Sequence, residues 1–238
     1  MLEHMLALPM KPSLPIVPNN GPGPALLKDG DQTLGYFGEV DNADFVTIEQ
    51  IEAQALVSLI GAAANRGLSK LWVKYVVDGK ILYIPKRVQR TGISWDNLYA
   101  AGFVYGVNGA GTYPGLPTGA VNQLRTISLT DINGKVWNFK IRLTSQSTID
   151  PVDLTAVTVN NSEFSKTVER TWPTVGIPKV WASFGQPGAG IQGIESRPTY
   201  TEYCVAAAGN STAYYRNLSQ KNTASGGWLP CLELIPDP

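Results

Sequence analysis

LWVKYVVDGKILYI, residues 71–84, decides how this chain folds. Leu71 to Val77 and Lys80 to Ile84 are rich in β-branched and aromatic residues, and Asp78-Gly79 separates them. That dipeptide suits a type I′ turn, in which both central residues need positive φ, so the stretch predicts a β-hairpin. A second hairpin is expected in LRTISLTDINGKVWNFKIRL, where Asn133-Gly134 is bracketed by Ile127, Leu129, Val136, Phe139, Ile141 and Leu143, all available to a core. Two hairpins form the backbone of one sheet.

Upstream of the first hairpin the period changes from two to about 3.6 residues. Thr47 followed by Gln50 matches a capping box, and Ile51, Ala55, Leu59 and Ala62 recur at helical spacing, with Leu56, Ile60 and Ala63 widening the stripe. Gly67 is a fitting stop. One long helix packed on the sheet is the expectation. Further upstream, PMKPSLPIVPNNGPGP, residues 9–24, holds six prolines, which remove backbone donors and keep the chain extended. Residues 1–25 therefore read as an arm or linker.

Between the hairpins, Ser94 caps a short helix in WDNLYAAG that Gly102 ends, and YGVNGAGTYPGLPTG follows as a long loop suited to contact with a neighbour. After Leu143 a short helix is expected over SEFSKTVERTW, with Ser162 as cap and Pro173 as stop, and a strand at PKVWASFG. FGQPGAGIQGIESRP reads as loop, and strands return at TYTEYCVAA, AYYRNL and WLPCLELI. The fold class is α+β: mainly antiparallel β-hairpins with one long packing helix, an extended Pro-rich N-terminal arm, and a β-rich C-terminal module. The expected units are residues 1–25, 26–150 and 151–238.

Lys plus Arg equals Asp plus Glu at 19 each, so there is no overall field to attract nucleic acid or an anionic membrane. Charged residues are only 16% of the chain, against roughly 25% in ordinary soluble domains, and such low-charge surfaces suit proteins buried in assemblies or secreted β-proteins. The N-terminal residues lack the basic start and long apolar run of an export signal, and no segment has the ~18 apolar residues of a membrane span. Cys204 and Cys231 are expected as buried free thiols, with pairing left open.

Catalytic patterns are thin. The single histidine, His4, lies in the arm, which removes Ser-His-Asp and Cys-His arrangements and most zinc sites. Gly188, Gly190 and Gly193 match G-x-G-x-x-G, but Pro187 precedes them and no helix follows. Glu195, Glu202 and Glu233 are the candidates for a glycosidase pair, and Asp29, Asp31, Asp41 and Asp44 read as turn and cap residues rather than calcium ligands. Tyr214, Tyr215 and Arg216, with Trp228, form the one aromatic and polar group suited to a ligand or partner contact. No catalytic, cofactor-binding or metal-ligating residue is expected.

TLGYFGEVDNADFVT (33–47), WVKYVVDGKILYIPKRVQRTGISWDNLYAAGFVYG (72–106) and GGWLPCLELIP (226–236) resemble virion structural proteins of tailed bacteriophages. The resemblance implies a non-enzymatic subunit of tail, baseplate, collar or fibre, located in the virion, with copies of itself and other virion proteins as partners. The third segment also resembles the closing strand of C-type-lectin-like modules, which end in a GWRPVLE-like motif. Leu229 and Cys231 stand where that motif has arginine and valine, so the arginine's polar contact is missing. On that resemblance Gly226-Gly227 turns the chain, Trp228 plugs the core, Pro230 sits at a strand start, and Leu232 and Leu234 face inward. The alternative is an adhesin module that binds a host-surface glycan at a tail or fibre tip.

Overall fold

The computed structural model describes residues 21–59, 70–112, 119–149, 157, 160–171, 222 and 226–237, together with the backbone path of residues 192–198, 203–209 and 214–220. Expectations for residues 1–20, for the strand at 178–185 and for the stop at Pro173 lie outside the described residues.

The first hairpin forms as read. Strands β3 (Leu71–Val77) and β4 (Lys80–Pro85) pair antiparallel from Trp72↔Pro85 to Val77↔Lys80, and the turn residues Asp78 and Gly79 have φ of 50° and 78°. The second joins β6 (Arg125–Thr130) to β7 (Val136–Arg142), but its turn is a different kind. Only Gly134 takes positive φ, and the Asp131 carboxylate accepts from the amides of Asn133 and Lys135. The side chain of Asp131 replaces the second positive-φ residue. Along β7 the inward positions are Trp137, Phe139 and Ile141, whereas Val136, expected inside, is half exposed because a period of two puts it on the other phase.

Upstream lie β1 (Asp29–Gly30), β2 (Leu34–Asp41) and the helix α1 (Ile48–Glu52). Asp31 holds the β1–β2 turn by accepting from Thr33 and Leu34, and Asp41 caps a single helical turn over Asn42–Asp44. The Thr47–Gln50 capping box is present, yet α1 is five residues long and not a long packing helix. Tertiary hydrogen bonds end it: the Leu56 amide donates to Ala101 O, while the buried Arg90 guanidinium takes Glu52 at 2.7 Å and the Leu59 carbonyl at 2.6 Å. Groups that would continue the helical ladder are spent elsewhere, and Leu56 and Val57 stand about half exposed.

Strand β5 (Arg90–Ile93) leads into α2 (Trp95–Ala101), which Ser94 caps and Gly102 ends at φ 86°. Beyond β7 come two short turns of helix, α3 (Glu163–Lys166), capped by Ser162, and α4 (Val168–Thr171). The chain then forms β8 (Gln192–Pro198), β9 (Tyr203–Gly209), β10 (Tyr214–Gln220), β11 (Gly226–Trp228) and β12 (Cys231–Leu234). Part of the stretch read as loop is thus strand β8, because its backbone pairs with β9 on one side and β11 on the other. Sheet pairing overrides local composition there. Gly226-Gly227 does not turn the chain either: the pair lies within β11, where the register against β5 shifts by a bulge.

The main sheet has the order β1-β2-β3-β4-β12-β7-β6, antiparallel throughout, and the second has the order β10-β9-β8-β11-β5. Strand β12, from the segment read as a C-terminal module, fills the gap between the two hairpins, pairing with β4 and β7. The sheet is buried on both faces. Trp72, Val76, Ile81, Tyr83, Phe139, Ile141, Leu232 and Leu234 join α2 and Trp228 in one core, whereas Val73, Tyr75, Val77, Leu82, Ile84 and Cys231 meet Phe164 and Val168 in another. Two-sided burial is why residues 71–84 read as an almost unbroken apolar run. Burial pushes the free Cys231 thiol well above its ordinary pKa, so it is a core residue and not a nucleophile.

Candidate functional site

Two charged features interrupt this apolar sheet, one on each face. On the first face Lys74 lies between Trp72 and Val76 and is completely buried. Its ammonium donates to the carbonyls of Gly21, Pro22 and Pro24 at 3.0, 3.0 and 2.8 Å, and it lies over the rings of Phe37 and Tyr83 at 5.0 and 5.7 Å. The Tyr83 hydroxyl also donates to Pro22 O, at 2.8 Å. A proline-rich segment has carbonyl acceptors and few N–H donors, so a three-donor ammonium is its natural complement. Gly21 and Gly23 take φ of 83° and 78°, and a Cβ at Gly21 would lie 2.5 Å from the Tyr83 hydroxyl. Burial lowers Lys74 from its ordinary value to about 7.

The second feature is a cleft of about 410 Å³ lined by residues of β4, β12 and β7 and by Glu163 and Lys166 of α3. Lys140 and Arg142 reach it because they alternate with Phe139 and Ile141, which face the core. Arg142 is its hub. Its two terminal nitrogens hold Glu163 at 2.6 and 2.7 Å, its Nε donates to Glu233 at 2.8 Å, and a terminal nitrogen also meets the Leu143 carbonyl. The fork geometry of guanidinium is what allows one side chain to bind two carboxylates. Lys140 and Lys80 approach Glu233 more loosely, at 3.5 and 4.0 Å, and Lys166 pairs with Asp78 at 2.8 Å.

The electrostatics follow from that geometry. Burial pushes the Glu233 carboxyl up, but Arg142, Lys80 and Lys140 together outweigh it and hold the group below its ordinary value. Burial likewise works against the Arg142 cation, and the carboxylates of Glu163 and Glu233 more than restore it. Glu233 is therefore an ionised ion-pair partner at neutral pH and not a proton donor. Of the other carboxylates weighed for a glycosidase pair, Glu195 lies on the backbone path of β8 and Glu202 lies outside the described residues. Among the described residues no group of three or more His, Cys, Asp or Glu is placed to hold a metal ion, and no helix is long and apolar enough to cross a membrane.

The aromatic group read from the sequence is divided. Tyr214, Tyr215 and Arg216 open β10, at the edge of the second sheet, paired with Gly209, Ala208 and Ala207. Trp228 lies on β11, with β9 and β8 between, a separation of about 14 Å at ~4.8 Å per strand. Its ring is fully buried and stacked on Phe103 at 5.1 Å, in the core position that the closing-strand motif implies. Lys74, Arg142 and Glu163 are the residues that sequence reading passed over. The available signals were a lone charge in an apolar strand for Lys74, and period-two alternation along Val136–Arg142 for the cleft.

Comparison with known protein families, with curated proteins and with solved structures gave no match.

Proposed function

We propose that this chain is a non-enzymatic structural subunit of a tailed-phage particle, a component of tail, baseplate, collar or fibre, that acts through contacts with copies of itself and with other virion proteins. The observation that carries the reading is the Lys74 clasp. Burying a cation is costly unless it is hydrogen-bonded, and here three carbonyls at the root of the N-terminal arm accept from it. The fold commits a charge within its sheet to fixing the position of Gly21–Pro24. A fixed exit is useful if the arm reaches across a neighbour.

Three further features support the reading. Leu26, Leu56, Val57 and Ile132 stand 49–88% exposed, large apolar side chains that contact with a neighbour would cover. In the polar cleft the described carboxylates are tied to Arg142 and the lysines, an arrangement suited to stability rather than proton transfer. The three segments resembling phage virion proteins supply the choice of particle.

Light scattering on the full chain and on a chain lacking residues 1–20 tests the proposal. The full chain is expected to be oligomeric, and the shortened chain to keep its melting temperature while losing mass to a smaller assembly. A monomeric full chain at micromolar concentration refutes the assembly reading. Antibody labelling of purified particles by electron microscopy tests the location, and unlabelled particles refute it.

A further inference from the structure

The Arg142 cleft has an excess of positive charge. Arg142, Lys80 and Lys140 face Glu163 and Glu233, which leaves one cation over, while Lys166 is matched by Asp78. Because Arg142 binds both carboxylates at 2.6–2.8 Å, Lys80 and Lys140, at 4.0 and 3.5 Å from Glu233, are held loosely. Both ammonium groups are able to turn onto an incoming anion without breaking the core of the network. Lys80 is 58% exposed, so it reaches solvent at the mouth.

The rest of the lining has a different character. Val107 and Ile149, 44% and 50% exposed, line the cleft together with the polar Thr148, Asn161 and Asp78. An apolar lining beside hydroxyl, amide and carboxylate groups matches a sugar ring, which has a C–H face and a rim of hydroxyls. The volume of about 410 Å³ falls within the ~300–1,000 Å³ of small-ligand sites.

We propose that this cleft binds a sugar acid, its carboxylate taken by Lys80 and Lys140 and its ring seated between Val107 and Ile149. This goes beyond the assembly role and does not depend on it: the cleft lies on the face of the sheet opposite the arm clasp. No bond is made or broken.

The test is amide-shift NMR on the full chain, titrated separately with glucuronic acid, glucose, acetate and inorganic phosphate. Glucuronic acid is expected to shift amides around residues 78–80, 105–107, 140–149 and 161–163 with a Kd of about 1 mM, and the other three to bind at least roughly tenfold more weakly. The double variant Lys80→Ala/Lys140→Ala is expected to lose the response by about tenfold while its melting temperature stays near that of the wild type, because both side chains reach solvent. Equal affinity for glucose would show that the carboxylate is not recognised, and equal affinity for acetate or phosphate that the ring is not; either overturns the proposal. So does an absence of cleft shifts with glucuronic acid, or an undiminished response in the double variant. Since assembly is read by mass and this site by shifts, failure of one leaves the other standing.

Discussion

Lys74 is one residue whose cost and use can both be measured. In the fold it titrates at about 7, against 10.5 as a free side chain, so between those values the unfolded chain binds the proton that the folded chain has released. Stability from this group therefore rises with pH across that window, by up to about 1.4 kcal/mol per pH unit, and is lowest below pH 7, where the cation is buried at full charge. Urea unfolding between pH 7 and 9.5 should show this slope, and Lys74→Met should flatten it. The same variant leaves the carbonyls of Gly21 and Pro24 without their lysine donor, which predicts a loss of about 1–3 kcal/mol and faster proteolysis of the arm root. Its deficit should widen as pH rises. Sequence alone shows Lys74 as an oddity in LWVKYVV, but its partners lie some fifty residues away in a segment with no strand or helix pattern, which local periodicity does not reach.

At the scale of elements, the ion-pair hub joins three pieces of chain: β7 through Arg142, β12 through Glu233 and α3 through Glu163. Arg142→Met takes the guanidinium from two part-buried carboxylates, leaving Glu233 its looser lysine contacts, and is expected to cost about 3 kcal/mol in chemical unfolding. Arg142→Lys should recover little, because an ammonium has no fork to hold both partners. Glu233 has the same pH sign as Lys74 but acts in the acid range, and for the opposite reason: folding favours its charged form, whereas burial disfavours that of Lys74. Its folded pKa is depressed, so its contribution is complete above the ordinary carboxyl value of 4.5 and is lost as pH falls through the folded value. Glu233→Gln should therefore lower stability at pH 7 while making the acid limb of the unfolding curve shallower. Elements with a short-range cause were legible: Ser94 and Gly102 bracket α2, and Asp78-Gly79 sets the β3–β4 turn. Those decided at a distance were not. The capping box at Thr47 marks where α1 begins, but its end depends on Arg90 and Ala101, and β8 exists because β9 and β11 flank it.

For the whole molecule, the order β4-β12-β7 makes the two hairpins depend on a segment far along the chain. The alternation of Cys231, Leu232, Glu233 and Leu234 suggests a strand, and nothing local says that it enters the middle of another sheet. Removing residues 229–238 is expected to abolish cooperative thermal unfolding, since β4 and β7 would each lose a hydrogen-bonded neighbour. The two ends of the arm should behave differently. Deletion of residues 1–20 spares the clasp, whereas deletion of 1–25 removes the carbonyls around Lys74 and should lower the melting temperature by several degrees, about 4 °C or less per kcal/mol at this size.

The same order constrains synthesis. While the ribosome is still making the second sheet, β4 and β7 are already outside it with unsatisfied edges, and an exposed edge invites pairing with any strand nearby. Nascent chains in a polysome hold many such edges close together. A chain released before Cys231–Leu234 is made is therefore expected to aggregate, and a chaperone that shields the gap is expected to raise its soluble yield.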